Sequence, residues 1–327
     1  MRRTSIVLIA AILATFSTAP ISSHSDNGFR VVHGWPTLPE GFVLGPAAGV
    51  AVDSKGHVWV FQRGNRIWKE PLSLEPINYP TVIQFDGTTG KLLNMWGAGL
   101  FAMPHGLTVD DKDNVWLTDV ALHQVFKFSP QGKLLLAIGE PGVPGNDKRH
   151  FNRPTDIAVL PDGSFYVSDG YRNTRVAKFS ANGDFEYQWG TPGKNAGEFN
   201  TPHGIAVDLQ GNVYVADREN DRVQVFDAKG AFLKQWRSAE MGRPYGLTLL
   251  PSAIAAVVDG GEQPEMPPDR SGVSLVRQDG TVAERFGRFG NQDGQFRMGH
   301  DVAADTKGNL YVVDIAGQRV QKFTRTP

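Results

Sequence analysis

A repeating unit of this 327-residue chain reads Gly204-Ile-Ala-Val-Asp-Leu-Gln-Gly-Asn-Val-Tyr-Val-Ala-Asp217, followed by Arg222-Val-Gln-Val-Phe226. Its short alternating runs are joined by an Asp-x-x-Gly-Asn turn, a combination that indicates strands and hairpins. Further copies begin at Gly49, Gly106, Asp156, Gly246 and Asp301. Units of about 50 residues built from short strands are typical of propeller blades. The sequence therefore predicts an all-β, six-bladed β-propeller.

Each blade is expected to end in an outer strand, marked by an aromatic or aliphatic residue shortly before Trp-Gly or Phe-Gly. Examples are Leu92-Leu-Asn-Met-Trp-Gly97, Phe185-Glu-Tyr-Gln-Trp-Gly190 and Phe286-Gly-Arg-Phe-Gly290. The sixth repeat stops shortly after Phe323 without such a strand, but Phe29-Arg-Val-Val-His-Gly-Trp35 resembles one. We therefore expect the N-terminal strand to complete the last blade and close the ring, which protects the sheet edges.

Charge and composition limit the function classes. The chain has 33 Lys and Arg against 34 Asp and Glu, which gives no indication of a nucleic-acid partner. Residues 1–24 read as a signal peptide, with an uncleaved anchor as the alternative. Residues 25–327 are then expected to form one propeller domain that is exported, periplasmic or secreted, without a membrane span and as a monomer. Cysteine is absent, so a transition metal must be bound by His and carboxylate side chains.

Histidines occupy one repeat position in alternate blades. The residue before each repeat's first Gly or Asp is, in chain order, Ala48, His105, Thr155, His203, Tyr245 and His300. The three histidines are separated by 98 and 97 residues, so in a closed six-fold ring they face one axis. Three neutral imidazoles leave a fourth coordination position open, which is the arrangement of catalytic zinc sites. We expect Zn²⁺, with Fe²⁺, Co²⁺ and Cu²⁺ as alternatives.

Other candidates surround this position. Because side chains alternate along an extended strand, the Asp301 carboxylate is expected to point away from the side that His300 faces. It either binds a harder cation such as calcium or hydrogen-bonds nearby groups. Arg63, Tyr171 and Arg218 each follow the second strand of a blade and are expected at one rim. Three Pro- and Gly-rich segments, 64–80, 139–154 and 260–272, are predicted loops that either build a binding rim or decorate the surface.

The run Met103-Pro-His-Gly-Leu-Thr-Val-Asp-Asp-Lys-Asp-Asn-Val-Trp-Leu-Thr-Asp-Val-Ala-Leu-His-Gln-Val-Phe-Lys127 closely resembles the peptidyl-α-hydroxyglycine α-amidating lyase family, whose members are six-bladed propellers of NHL-type repeats. Val167-Ser-Asp-Gly-Tyr171 and Met298-Gly-His-Asp301 match as well. The resemblance extends from about Gly49 to Phe323. It implies a lyase that cleaves a carbinolamide, releasing glyoxylate from a small or peptidyl substrate with an α-hydroxyglycine end and leaving a terminal amide.

The resemblance also implies roles for single residues. The family's zinc ligands match the same three histidines. Its structural calcium would bind the Asp301 carboxylate and the backbone carbonyls of Val50 and Leu107. The catalytic tyrosine matches Tyr171, which would take the substrate's hydroxyl proton. The remaining matches are the active-site Arg63, the substrate-contacting Arg218, and Met298 near the zinc.

Two departures from the family affect the interpretation. Animal members carry disulfides, which a chain without cysteine cannot form, and no copper monooxygenase segment is recognised to make the hydroxylated substrate. Two other functions stay open. A propeller hydrolase such as a lactonase would use a central metal, although its carboxylate-rich site differs from three histidines. A non-catalytic NHL-repeat scaffold would give no reason for three histidines to share one repeat position.

Overall fold

The computed structural model describes residues 28–252, 254–261 and 270–325. Six four-stranded antiparallel sheets surround a central channel, which confirms the predicted all-β, six-bladed propeller. The predicted signal peptide, residues 1–24, lies outside the described residues. Within the described ranges, the one helical segment is a single 3₁₀ turn, Arg218–Asn220, and no helix is long and apolar enough to cross a membrane.

The four strands of each blade run outwards from the channel. The innermost strands are Ala47–Val52, Pro104–Val109, Pro154–Val159, Pro202–Val207, Pro244–Leu249 and Gly299–Ala304. The second strands are His57–Gln62, Val115–Asp119, Phe165–Asp169, Val213–Asp217, Ala255–Asp259 and Leu310–Asp314. The third strands are Val82–Asp86, Gln124–Phe128, Arg175–Phe179, Arg222–Phe226, Gly272–Val276 and Arg319–Arg325. The outer strands are Leu92–Trp96, Leu134–Ile138, Phe185–Trp189, Phe232–Trp236, Val282–Phe286 and Phe29–Val31.

The ring is closed by the N-terminal strand, as the sequence predicts. Phe29–Val31 pairs antiparallel with Arg319–Arg325 and completes the sixth blade. Phe29 is buried there, and its ring stacks on Phe286 of the fifth blade with the centroids 5.0 Å apart. The last blade therefore contains strands from both ends of the chain, and this pairing closes the ring.

The outer strand of the fifth blade is shorter than its sequence tag. We expected the tag Phe286-Gly-Arg-Phe-Gly290 to lie in this strand, but the strand Val282–Phe286 ends where the tag begins. Gly287 has a φ of +75°, which turns the backbone out of the extended conformation. The next two residues, Arg288–Phe289, instead pair in parallel with Gln295–Phe296. The tag thus marks the turn that follows an outer strand as much as the strand itself.

The core lies between neighbouring blades. The second strands are buried on both faces and carry large aromatic side chains at equivalent positions, fully buried in five blades: Trp59, Trp116, Tyr166, Tyr214 and Tyr311. Each ring packs against the apolar residues of an adjacent blade, as Trp116 does on Phe165, with the centroids 4.6 Å apart. Because every blade covers a face of the next, the core consists mainly of six clusters, one at each junction between neighbouring blades.

Buried aspartates fix the corner where each second strand ends. Asp119, for example, accepts hydrogen bonds from the backbone N–H groups of Ala102 and Met103 at 2.7 and 2.9 Å. Equivalent aspartates close the corners of four more blades: Asp169, Asp217, Asp259 and Asp314. In the first blade this position is Gln62, which pairs with Ala47 just as Asp119 pairs with Pro104. The first blade therefore has a different corner.

The closing strand should contribute measurably to stability. Phe29→Ala removes a buried ring that links the fifth and sixth blades, so we expect the free energy of unfolding to fall by about 2–4 kcal/mol. Phe232→Ala, on the half-exposed outer strand of the fourth blade, is the matched control and should cost less than about 1 kcal/mol. Denaturant unfolding followed by tryptophan fluorescence measures both. Equal losses would show that the N-terminal strand adds no special stability.

Candidate metal centre and active site

The three histidines of the repeat meet in the central channel. His105, His203 and His300 are buried, and their ring centroids form a nearly equilateral triangle with sides of 4.8, 4.8 and 4.9 Å. One nitrogen of each ring lies within 4.8 Å of the other two. Three nitrogen ligands on a single point are the donor set that an open-sided zinc site requires.

Each imidazole is oriented by the blade that follows it. The Nδ1 atoms of His105, His203 and His300 lie 2.7, 2.9 and 2.6 Å from the backbone carbonyl oxygens of Thr155, Tyr245 and Ala48. A carbonyl oxygen only accepts, so Nδ1 carries the proton in every ring. The unprotonated Nε2 atoms then face the axis, which fixes the tautomer that binds a metal.

Irregular pairing of the inner strands brings these side chains to the axis. In the second and fourth blades, the register with the second strand shifts between Pro104 and Leu107 and between Pro202 and Ile205. His105 and His203 lie inside those shifts, where the strand bends. A Cβ atom on Gly106 would lie 2.5 Å from the Thr155 carbonyl oxygen, which is the acceptor of His105. The glycine after the histidine therefore permits the close approach of the two blades.

The environment keeps the three imidazoles neutral. Burial, followed by the positive charge of Arg63, lowers the pKa of His300 to about 3. Burial also lowers the pKa of His105 and His203 well below the usual histidine value. The neutral ring is the form that coordinates a metal, so a cation would not have to displace protons at physiological pH.

Tyr171 lies directly beside the triangle. Its hydroxyl oxygen is 2.9 Å from Nε2 of His105 and 3.1 Å from Nε2 of His203. A phenol has one proton to donate, so it satisfies one of these nitrogens at a time. Nη1 of Arg218 donates to the same oxygen at 3.4 Å, and its guanidinium lies over the Tyr171 ring. The phenol oxygen thus adjoins both the candidate metal ligands and a cation.

Two arginines supply positive charge to this region. The Nε of buried Arg63 donates to the Pro104 carbonyl at 2.8 Å, and within the described residues its two terminal nitrogens have no hydrogen-bond acceptor. Burial lowers the pKa of Arg63 to about 10, so the side chain remains charged at neutral pH. Arg218 is held in place by Glu219, at 2.9 Å. Arg63 is therefore positioned to receive a carboxylate.

The insert 64–80 covers this side of the channel. Trp68 packs on Tyr171 with the ring centroids 5.1 Å apart, and the Arg63 guanidinium lies 5.6 Å from the Trp68 centroid. Glu70 forms a two-pronged ion pair with Arg153 of the third blade, at 2.6 and 2.9 Å. The insert is thereby fastened across the ring, and its indole shields the tyrosine and arginine from bulk water. Sequence reasoning assigned no role to Trp68.

A cleft of about 360 Å³ lies under this cover. Its wall brings together five residues that the sequence analysis singled out: Arg63, Tyr171, Arg218, Met298 and His300. Met298 and Ile315 form an apolar side of the same wall. The volume suits a small molecule or one end of a larger one.

Asp301 lies one level deeper in the channel. Asp301 borders the cavity below the histidines, and the pairing of its strand with the second strand shifts register between Gly299 and Asp301. Asp301 Oδ2 accepts a hydrogen bond from the Val50 N–H at 3.0 Å. With Val50 and Leu107, it borders a cavity of about 230 Å³.

A second carboxylate, Asp156, borders the same cavity from the third blade, opposite the sixth. It accepts a hydrogen bond from the Ile205 N–H at 3.0 Å. Burial raises its pKa to about 7, and burial together with the charge of Asp156 raises the pKa of Asp301 well above the usual range. In the described part of the chain, no Lys or Arg pairs with either carboxylate. Asp156 was overlooked, although it shares the repeat position of Asp301.

Comparisons with known proteins agree with this architecture. The NHL repeat family matches residues 101–128, 151–179 and 199–226. Peptidyl-alpha-hydroxyglycine alpha-amidating lyase 2 of Drosophila melanogaster is 33% identical over 320 residues, which cover 92% of this chain and 76% of that protein. The chain belongs to the peptidyl-α-hydroxyglycine α-amidating lyase family. This confirms the resemblance noted in the sequence.

Other relatives of this lyase family are longer than the present chain. Peptidyl-glycine alpha-amidating monooxygenase B of Xenopus laevis is 37% identical over 309 residues, covering 89% of this chain but 35% of that protein. The chain thus spans about a third of the length of that relative. The solved virginiamycin B lyase from Staphylococcus aureus superimposes with a TM-score of 0.56 at 14% identity, covering 88% of this chain and 87% of that one. At this identity the similarity concerns the fold alone.

The paired carboxylates give a prediction for the cation-free protein. At pH 8, above the Asp156 pKa of about 7, Asp156→Asn removes a buried charge while keeping an oxygen for the Ile205 N–H, so it should stabilise chelator-treated protein by about 1–3 kcal/mol. Added CaCl₂ should then stabilise the wild type more than the variant. Thermal unfolding with EDTA and with CaCl₂ measures both effects. Destabilisation in EDTA would show that the two charges do not repel each other.

Proposed function

We propose that this protein is a zinc-dependent lyase that cleaves the carbon–nitrogen bond of a peptidyl- or N-acyl-α-hydroxyglycine, yielding a terminal amide and glyoxylate. The observation that carries the proposal is the contact of the Tyr171 hydroxyl with two imidazoles of the triangle, at 2.9 and 3.1 Å, in a chain of the amidating lyase family. This membership favours the lyase over the lactonase and scaffold hypotheses. His105, His203 and His300 would hold the zinc, which would supply Lewis acidity toward an oxygen in an open fourth position.

The chain's own residues account for substrate binding. The terminal nitrogens of Arg63, which have no acceptor in the described structure, would form a two-pronged pair with the substrate carboxylate that leaves in glyoxylate. Arg218 would remain on Tyr171 and hold the phenol in place, because its guanidinium lies against the ring and donates to the oxygen. Met298 and Trp68 would exclude water from the reacting end of the substrate.

Tyr171 would act as the general base. Removal of the hydroxyl proton lets the carbon–oxygen double bond form while the carbon–nitrogen bond breaks. The bond electrons leave with the nitrogen, which takes a proton and becomes the terminal amide. We assign the return of the proton to the Tyr171 phenol, which has just received one from the hydroxyl group. Atoms and charge then balance without a redox cofactor.

We propose a structural calcium in the deeper cavity. Asp301 and the carbonyl oxygens of Val50 and Leu107 would bind it, with Asp156 contributing the carboxylate of the opposite blade. Oxygen ligands suit this cation, and a divalent charge would offset the repulsion between two buried carboxylates. We also propose that the protein is exported, on the basis of the N-terminal sequence.

The activity is tested with N-benzoyl-α-hydroxyglycine and zinc-loaded protein. We expect stoichiometric release of glyoxylate and benzamide. Tyr171→Phe should lower kcat by about 10²–10⁴-fold, because it removes the base. Its zinc content should match the wild type, since the phenol is not one of the three ligands. The absence of glyoxylate from zinc-loaded wild type would exclude the proposed reaction, and full activity of Tyr171→Phe would exclude the tyrosine as base.

Zinc binding is tested separately by removing one imidazole. His203→Ala should weaken zinc affinity by more than about a hundredfold, because only two of the three nitrogen ligands remain. Exposed His33, which pairs with Asp293 at the surface, provides the control His33→Ala. Metal content after dialysis against a chelating buffer, measured by mass spectrometry, distinguishes them. Unchanged zinc content in His203→Ala would remove this residue from the ligand set.

A further inference from the structure

A surface groove continues outwards from the cleft. It has a volume of about 810 Å³ and runs between the segment 41–46 and the two ends of the insert 64–80. Pro46, Arg66 and Ile67 line both the groove and the cleft. The groove and the cleft therefore adjoin each other at these three residues.

The walls of the groove are held in place by Gln62, the residue that replaces the corner aspartate in the first blade. Its buried side-chain oxygen accepts hydrogen bonds from the Gly45 and Gly64 N–H groups, at 2.9 and 2.7 Å. Its amide nitrogen donates to the Pro80 carbonyl. A Cβ atom on Gly45 would lie 1.8 Å from the Gly64 carbonyl oxygen. One amide side chain and a close backbone contact thus preform the groove.

The chemistry of the groove suits an extended peptide. Val43 and Ile67 are 68% and 69% exposed, which leaves apolar surface without a partner beside the cleft. Among the described residues, the amide side chains of Asn65, Asn78 and Gln318 have no hydrogen-bond partner. Apolar contacts interleaved with free amides are what a peptide backbone with apolar side chains can pair with.

The direction of the substrate follows from its chemistry. The carboxylate and hydroxyl ends of α-hydroxyglycine are taken up by Arg63 and the histidine level, so the amide nitrogen is the one point from which the rest of the substrate extends. Trp68 covers the cleft on the side of Tyr171, and the Glu70–Arg153 pair holds that cover down. The wall shared by Pro46, Arg66 and Ile67 leads into the groove instead.

We propose that this groove binds the residues that precede α-hydroxyglycine and selects peptidyl substrates with apolar side chains there. The inference rests on the proposed function for the position of the substrate's end. Val43 and Ile67 contact the apolar side chains, and the free amides pair with the peptide backbone. The first blade is therefore the specificity-determining part of the ring.

The test compares three α-hydroxyglycine substrates: N-acetyl, N-acetyl-Gly-Gly and N-acetyl-Leu-Phe. The wild type should have the highest kcat/KM on the Leu-Phe substrate. Val43→Ser should reduce the ratio of kcat/KM between the Leu-Phe and Gly-Gly substrates by about five- to tenfold, through KM, because an apolar contact is lost. Leu209→Ser is the matched control. Leu209 is 94% exposed in the turn after the inner strand of the fourth blade, and this variant should keep the wild-type ratio.

A binding measurement separates this proposal from the proposed function. The uncleavable peptides N-acetyl-Leu-Phe-Gly and N-acetyl-Gly-Gly-Gly are titrated into zinc-loaded protein by calorimetry. Tighter binding of the Leu-Phe peptide that is lost in Val43→Ser supports the groove, even if no substrate is cleaved. Cleavage of all three substrates with equal kcat/KM, or an equal change of ratio in Val43→Ser and Leu209→Ser, overturns the groove while the lyase function stands.

Discussion

The hydrogen bond from each imidazole Nδ1 to the next blade's carbonyl is the constraint on which the site depends. His105 uses Thr155, His203 uses Tyr245, and His300 uses Ala48 across the junction of the sixth and first blades. The angle of each ring is thus set by the spacing between two blades. A slip or opening at any junction would turn one Nε2 away from the axis. The geometry of the candidate metal site therefore depends on closure of the ring by the N-terminal strand.

This arrangement gives one repeat position two functions. In alternate blades it carries a histidine, and in the intervening blades it supplies the carbonyl that orients the neighbouring histidine. One residue further along, two blades on opposite sides of the ring carry carboxylates, Asp156 and Asp301. The channel consequently has a nitrogen level and an oxygen level stacked on one axis. Nitrogen donors favour zinc and oxygen donors favour calcium, so the two levels suit different cations.

The position of a residue within the repeat predicted the features that depend on periodicity. It did not predict features at points where the backbone departs from the regular repeat. The fold, its closure and the convergence of the histidines follow from equivalent positions in a ring. The bends in the inner strands did not follow, because alternation presumes a regular strand and the pairing shifts register, in the sixth blade between Gly299 and Asp301. The place of the Asp156 carboxylate in the channel could have been predicted from the sequence, since Asp156 occupies the same repeat position as Asp301. The contact of Trp68 with the site could not have been predicted, because an insert has no counterpart in other blades from which its path could be inferred.

A six-fold ring of similar blades offers no preferred direction of approach to its axis, so specificity has to come from a departure from the repeat. The first blade provides it: Gln62 stands where five blades have aspartate, and its amide both donates and accepts. A carboxylate could accept from the Gly45 and Gly64 N–H groups but could not donate to the Pro80 carbonyl. The exchange of acid for amide is therefore what lets one corner hold both ends of a long insert. That insert covers the tyrosine on one side and leaves an open groove on the other.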